Sequence, residues 1–177
     1  MIVPEAYAGP GRRAARLAGQ QHAASRAVGL ELAIWDRHRR ALTTFDEPAD
    51  QIDAWIAGPA ALLVAKTHKV HERLLEFDAR PDRLRPKDSG DVTLLMMVSQ
   101  PDDMAHVMAT QSTDHPEIAQ TVGDAAKWLT EMYGDPTGLL RRHAVNALAD
   151  RFETAQVAQA IDDWLTGFTE AARAMID

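Results

Sequence analysis

The sequence predicts an α+β fold, in which a partial sheet is followed by a C-terminal helical bundle. Extended segments precede residue 58, and helical patterns fill most of the chain after it. Strands that come first and helices that come afterwards are typical of α+β proteins. Because 46% of the 177 residues are hydrophobic, they suffice for one core. We therefore expect a sheet of about three strands over residues 1–57, a helical bundle over residues 58–177, and a single compact unit.

The predicted strands are short apolar or alternating segments. Residues 1–5 fit the last turn of a strand, and residues 6–21 are expected to form a loop because they contain glycine and proline close together. Residues 27–35 alternate, with Val28, Leu30, Leu32 and Ile34 on one face and Glu31 and Ala33 on the other, which predicts a strand. Two further strands, which follow a polar break at residues 36–39, are predicted: residues 41–45 and residues 52–57.

Prolines mark the starts of the predicted helices. Pro59 suits the first turn of a long helix, where its missing N–H has no partner to lose. A basic loop over residues 79–87 follows that helix, and the chain is then predicted to be helical to its end. The further helices are expected over residues 88–99, from Pro101, from Pro116, over residues 139–149 and over residues 152–175. Two tryptophans are expected to anchor the core of this bundle: Trp128 and Trp164.

The composition limits the classes of function. No apolar run approaches the roughly 20 residues that a membrane span needs, and the amino terminus has no signal-peptide pattern. There is no cysteine, so neither a disulfide nor a thiolate zinc site is expected. His68 and His71 lie three residues apart, but no third ligand accompanies them at a diagnostic spacing, so no metal site is predicted. The expected location is cytoplasmic.

The net charge of −7 is distributed unevenly along the chain. Residues 1–90 carry 14 lysines and arginines against 12 acidic residues, whereas residues 91–177 carry 5 against 14. An anionic ligand such as a nucleotide or an RNA end would therefore meet the first half. A chance distribution of solvated charges explains the same asymmetry, and the acidic second half argues against broad contact with nucleic acid.

The long predicted helix carries cations at the edge of its apolar face. Its core positions fall in one narrow arc: Leu63, Val70, Leu74 and Phe77. Lys66, Lys69 and Arg73 form a strip along one edge of that arc, and Lys66 lies closest to it. Because burial of an unpaired charge is costly, a lysine at this position requires a reason. Asp88 and Asp91, three residues apart, share one face of the next helix.

One stretch resembles the second half of a minimal nucleotidyltransferase. It consists of a lysine on an alanine- and leucine-rich helix and, after a basic loop, Lys87-Asp88-x-x-Asp91-Val92. The chain is similar here to the AbiEii/MenT-type nucleotidyltransferases, many of which are toxins of toxin–antitoxin pairs. Three further blocks carry the likeness: AGPGRRAARL, GLELAIWDRHR and WIAGPAALLVAKTHK. The resemblance extends over residues 1–151.

The resemblance implies a set of functional residues and ligands. Lys66 would contact the triphosphate of a bound nucleotide, and Asp88 would be the catalytic acidic group across the site from it. Further phosphate contacts would come from three cations: Lys69, Arg85 and Lys87. The implied ligands are a nucleoside triphosphate and Mg²⁺, the implied acceptor is a tRNA end, and the implied protein partner is an antitoxin. The lysine would act electrostatically, because it would hold the phosphates and stabilise charge during transfer.

Each of these residues also has a structural interpretation. Lys66 fits a surface lysine whose stem covers apolar side chains. Asp88 and Asp91 fit the N-cap and third position of a helix, where acidic side chains accept backbone N–H groups, and Asp91 is favoured as structural. Arg85 and Lys87 fit an ordinary solvated loop.

The chain departs from the family at the metal-binding motif. Such enzymes begin with a Gly-Ser turn and an Asp-x-Asp pair that holds Mg²⁺, and neither motif occurs in these 177 residues. Paired carboxylates hold the metals that this transfer requires. The chain is therefore expected to start in the middle of the catalytic sheet and to be inactive in transfer. The alternative is a non-enzymatic, dimeric binding or regulatory protein, in which an exposed sheet edge pairs with a second copy.

Overall fold

The computed structural model describes residues 2–8, 14–17, 20–43 and 51–175. Within these ranges every β-strand lies before residue 58 and every α-helix lies after it. The predicted α+β class, with the helices in the C-terminal part, is therefore confirmed. A nucleotidyltransferase-like sheet and a domain boundary after residue 57 stay predictions.

The strands form two small sheets in the described part of the chain. The first sheet contains β1 (Ile2–Pro4), β2 (Ala14–Leu17) and β3 (Gln20–Ala27). Its order is β1-β3-β2, with β1 parallel and β2 antiparallel to β3. The second is an antiparallel ribbon of β4 (Arg37–Thr43) and β5 (Gln51–Ala57). The strands predicted over residues 1–5 and 52–57 correspond to β1 and β5. The described ranges contain five strands, whereas about three were expected.

The strand predicted over residues 27–35 is wrong. The chain turns at Gly29, whose φ of +91° is a left-handed conformation that suits glycine, and then forms the 3-10 helix Glu31–Ile34. Glu31 is buried, and its carboxylate accepts the Gly29 N–H at 2.7 Å. The alternating apolar pattern therefore belongs to a turn that inserts Leu32 into the core.

The loop predicted over residues 6–21 is also wrong where the structure describes it. This part contains the end of the 3-10 helix Glu5–Tyr7, strand β2 and the first residues of β3. The glycine–proline–glycine run lies at residues 9–11, outside the described ranges. Strands form after it because β2 and β3 satisfy each other's backbone groups.

The polar break predicted at residues 36–39 is confined to Asp36. Arg37 already pairs with β5, so the predicted strand 41–45 begins earlier, as β4, and its last two residues lie outside the described ranges. Asp36 lies outside the strand. Its carboxylate accepts the Ala61 N–H at 2.7 Å and so caps the first turn of the helix that follows β5.

Six α-helices occupy the part of the chain described after residue 58. They are α1 (Pro59–Leu75), α2 (Pro86–Val98), α3 (Pro101–Asp114), α4 (Ala119–Tyr133), α5 (Leu139–Leu148) and α6 (Thr154–Ala174). Proline occupies the first turn of α1, α2 and α3. Pro116 instead opens a short 3-10 helix that leads into α4.

The hydrophobic core lies between these helices, with α2 in the middle. α2 packs against α1, α5 and α6, while α3 packs against α6 and α4 packs against α1. A Cβ atom at Gly90 would stand 2.8 Å from the Cβ of Ala147, so α2 and α5 approach closely there. Trp164 is buried as expected, whereas Trp128 is only half-buried. None of the helices in the described ranges is long and apolar enough to cross a membrane.

Candidate functional site

Helices α1 and α2 lie side by side and pair oppositely charged side chains along their contact. Lys66 Nζ lies 2.9 Å from Asp91 Oδ2, and Lys87 Nζ lies 3.0 Å from the same oxygen. Lys69 Nζ lies 2.9 Å from Asp88 Oδ1. We refer to six residues as the ion-pair seam: Lys66, Lys69, Arg73, Lys87, Asp88 and Asp91.

Asp88 is the most enclosed member of the seam. Its side chain is 7% exposed, and its carboxylate pairs with Arg73 as well as with Lys69. It also accepts the Arg85 N–H at 3.2 Å, which satisfies a backbone donor at the start of α2. Burial acts to raise the pKa of Asp88, but the hydrogen bonds from Lys69 and Arg85 and the nearby positive charges hold that pKa below its ordinary value.

Asp91 neutralises Lys66, the lysine that lies beside the core. Its side chain is 22% exposed, and it accepts hydrogen bonds from Lys66 and Lys87. Burial acts to raise the pKa of Asp91, but these hydrogen bonds and charges outweigh it, so the pKa lies below its ordinary value. Lys66 is therefore neutralised at the edge of the core instead of being buried without a partner.

The structure brings most of the predicted site residues together, but it pairs them differently from the prediction. Lys66 pairs with Asp91, and Asp88 pairs with other cations of the seam. Asp88 occupies the third position of α2 and not the N-cap position, which belongs to Arg85. Arg85 therefore reaches the seam through its backbone N–H, while its residue is exposed as a whole.

A groove of about 850 Å³, which we call the α1 groove, lies against α1. Lys66 and Lys69 line it on the α1 side together with apolar neighbours such as Leu62. The facing wall comes from Glu5 and from the chain at the end of β3: Ala27, Val28 and Leu30. Asp88 is not among the lining residues, and its carboxylate pairs with Lys69 and Arg73. Its position across the site from Lys66 and its catalytic role stay predictions.

Stacked rings line the α1 groove beside the two lysines. The rings of His71 and Trp128 are stacked with their centroids 3.5 Å apart, and His68 contacts the same indole edge-on. His68 Nε2–H donates to the Thr121 carbonyl oxygen at 2.8 Å. Burial, with a smaller effect of His68, lowers the pKa of His71, so its imidazole is held in the neutral form. These contacts fix an aromatic surface at the groove.

This arrangement suits an anion that also carries an apolar or aromatic part. The seam contains four cations and two carboxylates, and the groove itself is lined by two lysines together with two acidic residues, Glu5 and Glu72. Two of its lysines, Lys66 and Lys69, also line a groove whose walls are mainly apolar. Hydrogen bonds from ammonium groups to phosphate are among the stronger ones in proteins.

The two seam carboxylates do not form a metal site. In the described ranges, no group of three or more His, Asp and Glu side chains is arranged to hold a metal ion. Asp88 and Asp91 are each engaged by two cations, so their oxygens are already occupied. Mg²⁺ requires oxygen ligands in near-octahedral geometry. The Mg²⁺ that the resemblance implies therefore does not fit the seam.

Comparison with known proteins identifies no family. No protein-family model, no curated protein and no solved structure matches the chain. The likeness to AbiEii/MenT-type nucleotidyltransferases therefore depends on the sequence blocks alone and stays a prediction.

Sequence reasoning missed two parts of the α1 groove. The sequence predicts Trp128 in the core and Val28 in a strand. Both reach the groove through contacts between distant segments, which hydrophobic periodicity does not encode. One signal was present, because His68 and His71 place two rings on one side of α1 and therefore require a partner on another element.

Proposed function

We propose that this chain is a nucleotidyltransferase-family protein that binds a nucleoside triphosphate in the α1 groove. The observation that carries the proposal is the position of Lys66 and Lys69. Both line the groove, and their ammonium groups are held in place by Asp91 and Asp88. Ordered cations lose little conformational freedom when a phosphate binds, which favours affinity.

The remaining groove surface supports a nucleoside as the other half of the ligand. Leu62 and Val28 offer apolar surface on opposite walls, and the stacked His71–Trp128 pair adds an aromatic surface. Bases stack favourably on aromatic side chains whatever their sequence. The phosphates would lie along the lysines, and the base and ribose would lie against the apolar wall.

The seam can share its lysines with a ligand without leaving a carboxylate unpaired, because each ammonium group has three N–H donors. A phosphate that approaches Lys66 competes with Asp91 for the ammonium group. Lys87 remains paired with Asp91, and Arg73 remains paired with Asp88. Because an unpaired buried charge is what makes such an exchange costly, the second cation on each carboxylate supports ligand binding here.

The proposal covers nucleotide binding, and transfer by these 177 residues is not part of it. The sequence has no Asp-x-Asp pair, and Asp88 is held by Lys69 and Arg73. Transfer to a tRNA end and recognition by an antitoxin follow from the resemblance only and stay predictions.

Isothermal titration calorimetry with ATP, GTP, CTP and UTP, each with and without Mg²⁺, tests the proposal. We expect the chain to bind at least one nucleotide and Lys66→Ala to weaken that binding about tenfold or more. Lys127→Ala is the matched control, because Lys127 also pairs with an acidic residue, Glu131, at 3.7 Å but does not line the groove. The proposal would be wrong if the unmodified chain bound no nucleotide. It would also be wrong if Lys66→Ala and Lys127→Ala weakened nucleotide binding equally.

A transfer assay tests the expected inactivity separately. Labelled nucleoside triphosphates, Mg²⁺ and tRNA are incubated with the purified chain, and the label on tRNA is measured. We expect no labelled tRNA. Clear labelling would overturn the expectation of inactivity while it supports the family assignment.

A further inference from the structure

We propose that two copies of this chain associate through β5, whose outer edge pairs antiparallel with the same edge of the second copy. Among the strands that the structure describes, none pairs with the outer edge of β4 or of β5. No residue of this ribbon lines the α1 groove, so the proposal is independent of nucleotide binding.

The ribbon exposes apolar side chains on both of its faces. All seven residues of β4 are exposed, and β5 exposes Ile52 at 60% and Trp55 at 59%. An isolated two-stranded ribbon is only marginally stable in water. A free strand edge is also a template for pairing with another chain. A second copy that extends the ribbon to four strands would stabilise the ribbon and would pair the free edge of β5.

Charge selects β5 instead of β4 as the pairing edge. β4 carries Arg37, Arg39 and Arg40, and antiparallel self-pairing over its full length would place Arg40 opposite Arg40 of the second copy. Like charges directly opposite each other destabilise a strand pair. β5 carries one charged residue, Asp53. Its edge can therefore approach a copy of itself with much less repulsion.

Strand length then selects the register. Antiparallel pairing of all of β5 with itself places the two-fold axis at Ala54, the middle residue of the strand. Ile52 then faces Ile56 of the second copy, and Asp53 faces Trp55 of the second copy. An axis at Asp53 would instead oppose the two carboxylates, which disfavours that register.

The register centred on Ala54 joins apolar side chains into one continuous row. Within a copy, Leu42 of β4 already pairs with Ile52 of β5. Across the axis, Ile56 of the second copy extends this row on the same face, because paired residues of neighbouring strands share a face. Symmetry generates an identical row on the other side of Ala54. The interface is therefore complementary to itself in polarity.

The opposite face of the extended ribbon has complementary charges. Arg39 pairs with Trp55 in the register of the ribbon and forms an ion pair with Asp53 at 3.0 Å. In the proposed dimer, Trp55 would lie between Arg39 of its own copy and Asp53 of the second copy. Opposite charges thus flank each indole ring, and the two Asp53 carboxylates, which lie diagonally across the axis, are each already paired with Arg39 of their own copy.

Sedimentation velocity over a wide range of protein concentrations tests the association. We expect a dimer that dissociates on dilution, and we expect Ile52→Lys to raise the dissociation constant about tenfold or more because it places a charge in each apolar row. Val98→Lys is the matched control, since Val98 is also an exposed apolar residue, at 78%, but lies in α2. Circular dichroism establishes that both variants are folded.

Single cysteines test the register, because the chain contains no cysteine of its own. The two Ala54 residues would lie directly opposite each other, within the range of Cα separations that a disulfide spans. We expect Ala54→Cys to oxidise to a covalent dimer and Arg40→Cys, in the middle of β4, to remain uncrosslinked. A chain that is monomeric at every concentration would overturn the proposal. So would a dimer that is insensitive to Ile52→Lys, or one crosslinked through position 40 and not through position 54.

Discussion

Replacement of Asp88 with alanine separates a structural role of this carboxylate from a catalytic one. Loss of the acceptor for the Arg85 N–H at the start of α2 costs about 1 kcal/mol. Loss of a partly buried charge-assisted hydrogen bond costs about 2 kcal/mol more, and we count only the bond with Arg73. Lys69 is 46% exposed, so water screens its pairing and replaces it after the substitution. We expect the free energy of unfolding to fall by about 3 kcal/mol.

Two further variants identify the source of this loss. Asp91→Ala makes the same chemical change on the same helix, but Asp91 is more exposed and Lys87 is 80% exposed, so we expect a loss of about 1 kcal/mol. Asp88→Asn keeps an acceptor for the backbone N–H and removes only the charge. We expect its stability to lie between those of Asp88→Ala and the unmodified chain.

Urea unfolding followed by circular dichroism measures these differences as shifts of the midpoint at constant slope. The reasoning would be refuted if Asp88→Ala unfolded within about 0.5 kcal/mol of the unmodified chain, the range typical of surface substitutions. Such a result would mean that the Asp88 carboxylate contributes little to the fold and would restore its catalytic interpretation.

Two further predictions concern pH and glycine. Because the pKa values of Asp88 and Asp91 are lowered in the fold, their contribution is present above about pH 4 and is lost as the pH falls through the lowered values. Urea unfolding at a series of pH values should therefore show a steeper acid loss for the unmodified chain than for Asp88→Asn/Asp91→Asn, and parallel curves would contradict this. Gly29→Ala should destabilise by about 2 kcal/mol or more, because φ is positive and the new Cβ would lie 2.7 Å from the Cβ of His68. Gly123→Ala, which meets no atom within 4 Å, should stabilise α4 by up to about 1 kcal/mol, and thermal unfolding that ranks the two in the reverse order would count against the reasoning.

The helical part of the fold could be predicted because its signals are local. Pro59 marks the start of α1, and the apolar arc through Leu63 and Val70 identifies its buried face. The strand over residues 52–57 could also be predicted, since its composition identifies it although no residue of it is fully buried.

The chain between β3 and β4 could not be predicted in the same way. The alternation of Val28, Leu30 and Leu32 has the period of a strand, but the conformation is decided by Gly29 and by the buried carboxylate of Glu31. A hydrogen bond from a backbone N–H to a buried side chain leaves no trace in hydrophobic periodicity.

The candidate site could be predicted in its composition but not in its pairing. Lys66 beside the core implies an acidic partner, and two candidates three residues apart share one face of α2. The position of α2 along α1 decides which of these two carboxylates pairs with Lys66. That position depends on packing elsewhere in the bundle. The close approach of Gly90 to Ala147 is one such contact, and no residue near Lys66 encodes it.

The facing walls of the α1 groove are attached to the bundle in different ways. α1 is fastened along its length by the ion-pair seam, and the chain that carries the other wall is held by Leu32 in the core, by Gly29 against His68, and by the stack of Trp35 on His115, with centroids 3.6 Å apart. Neither wall can therefore move without the loss of packed contacts, so the fold sets the width of the groove. We therefore expect the groove to discriminate among ligands by their width, because a wider ligand would have to displace the turn at Gly29 from His68.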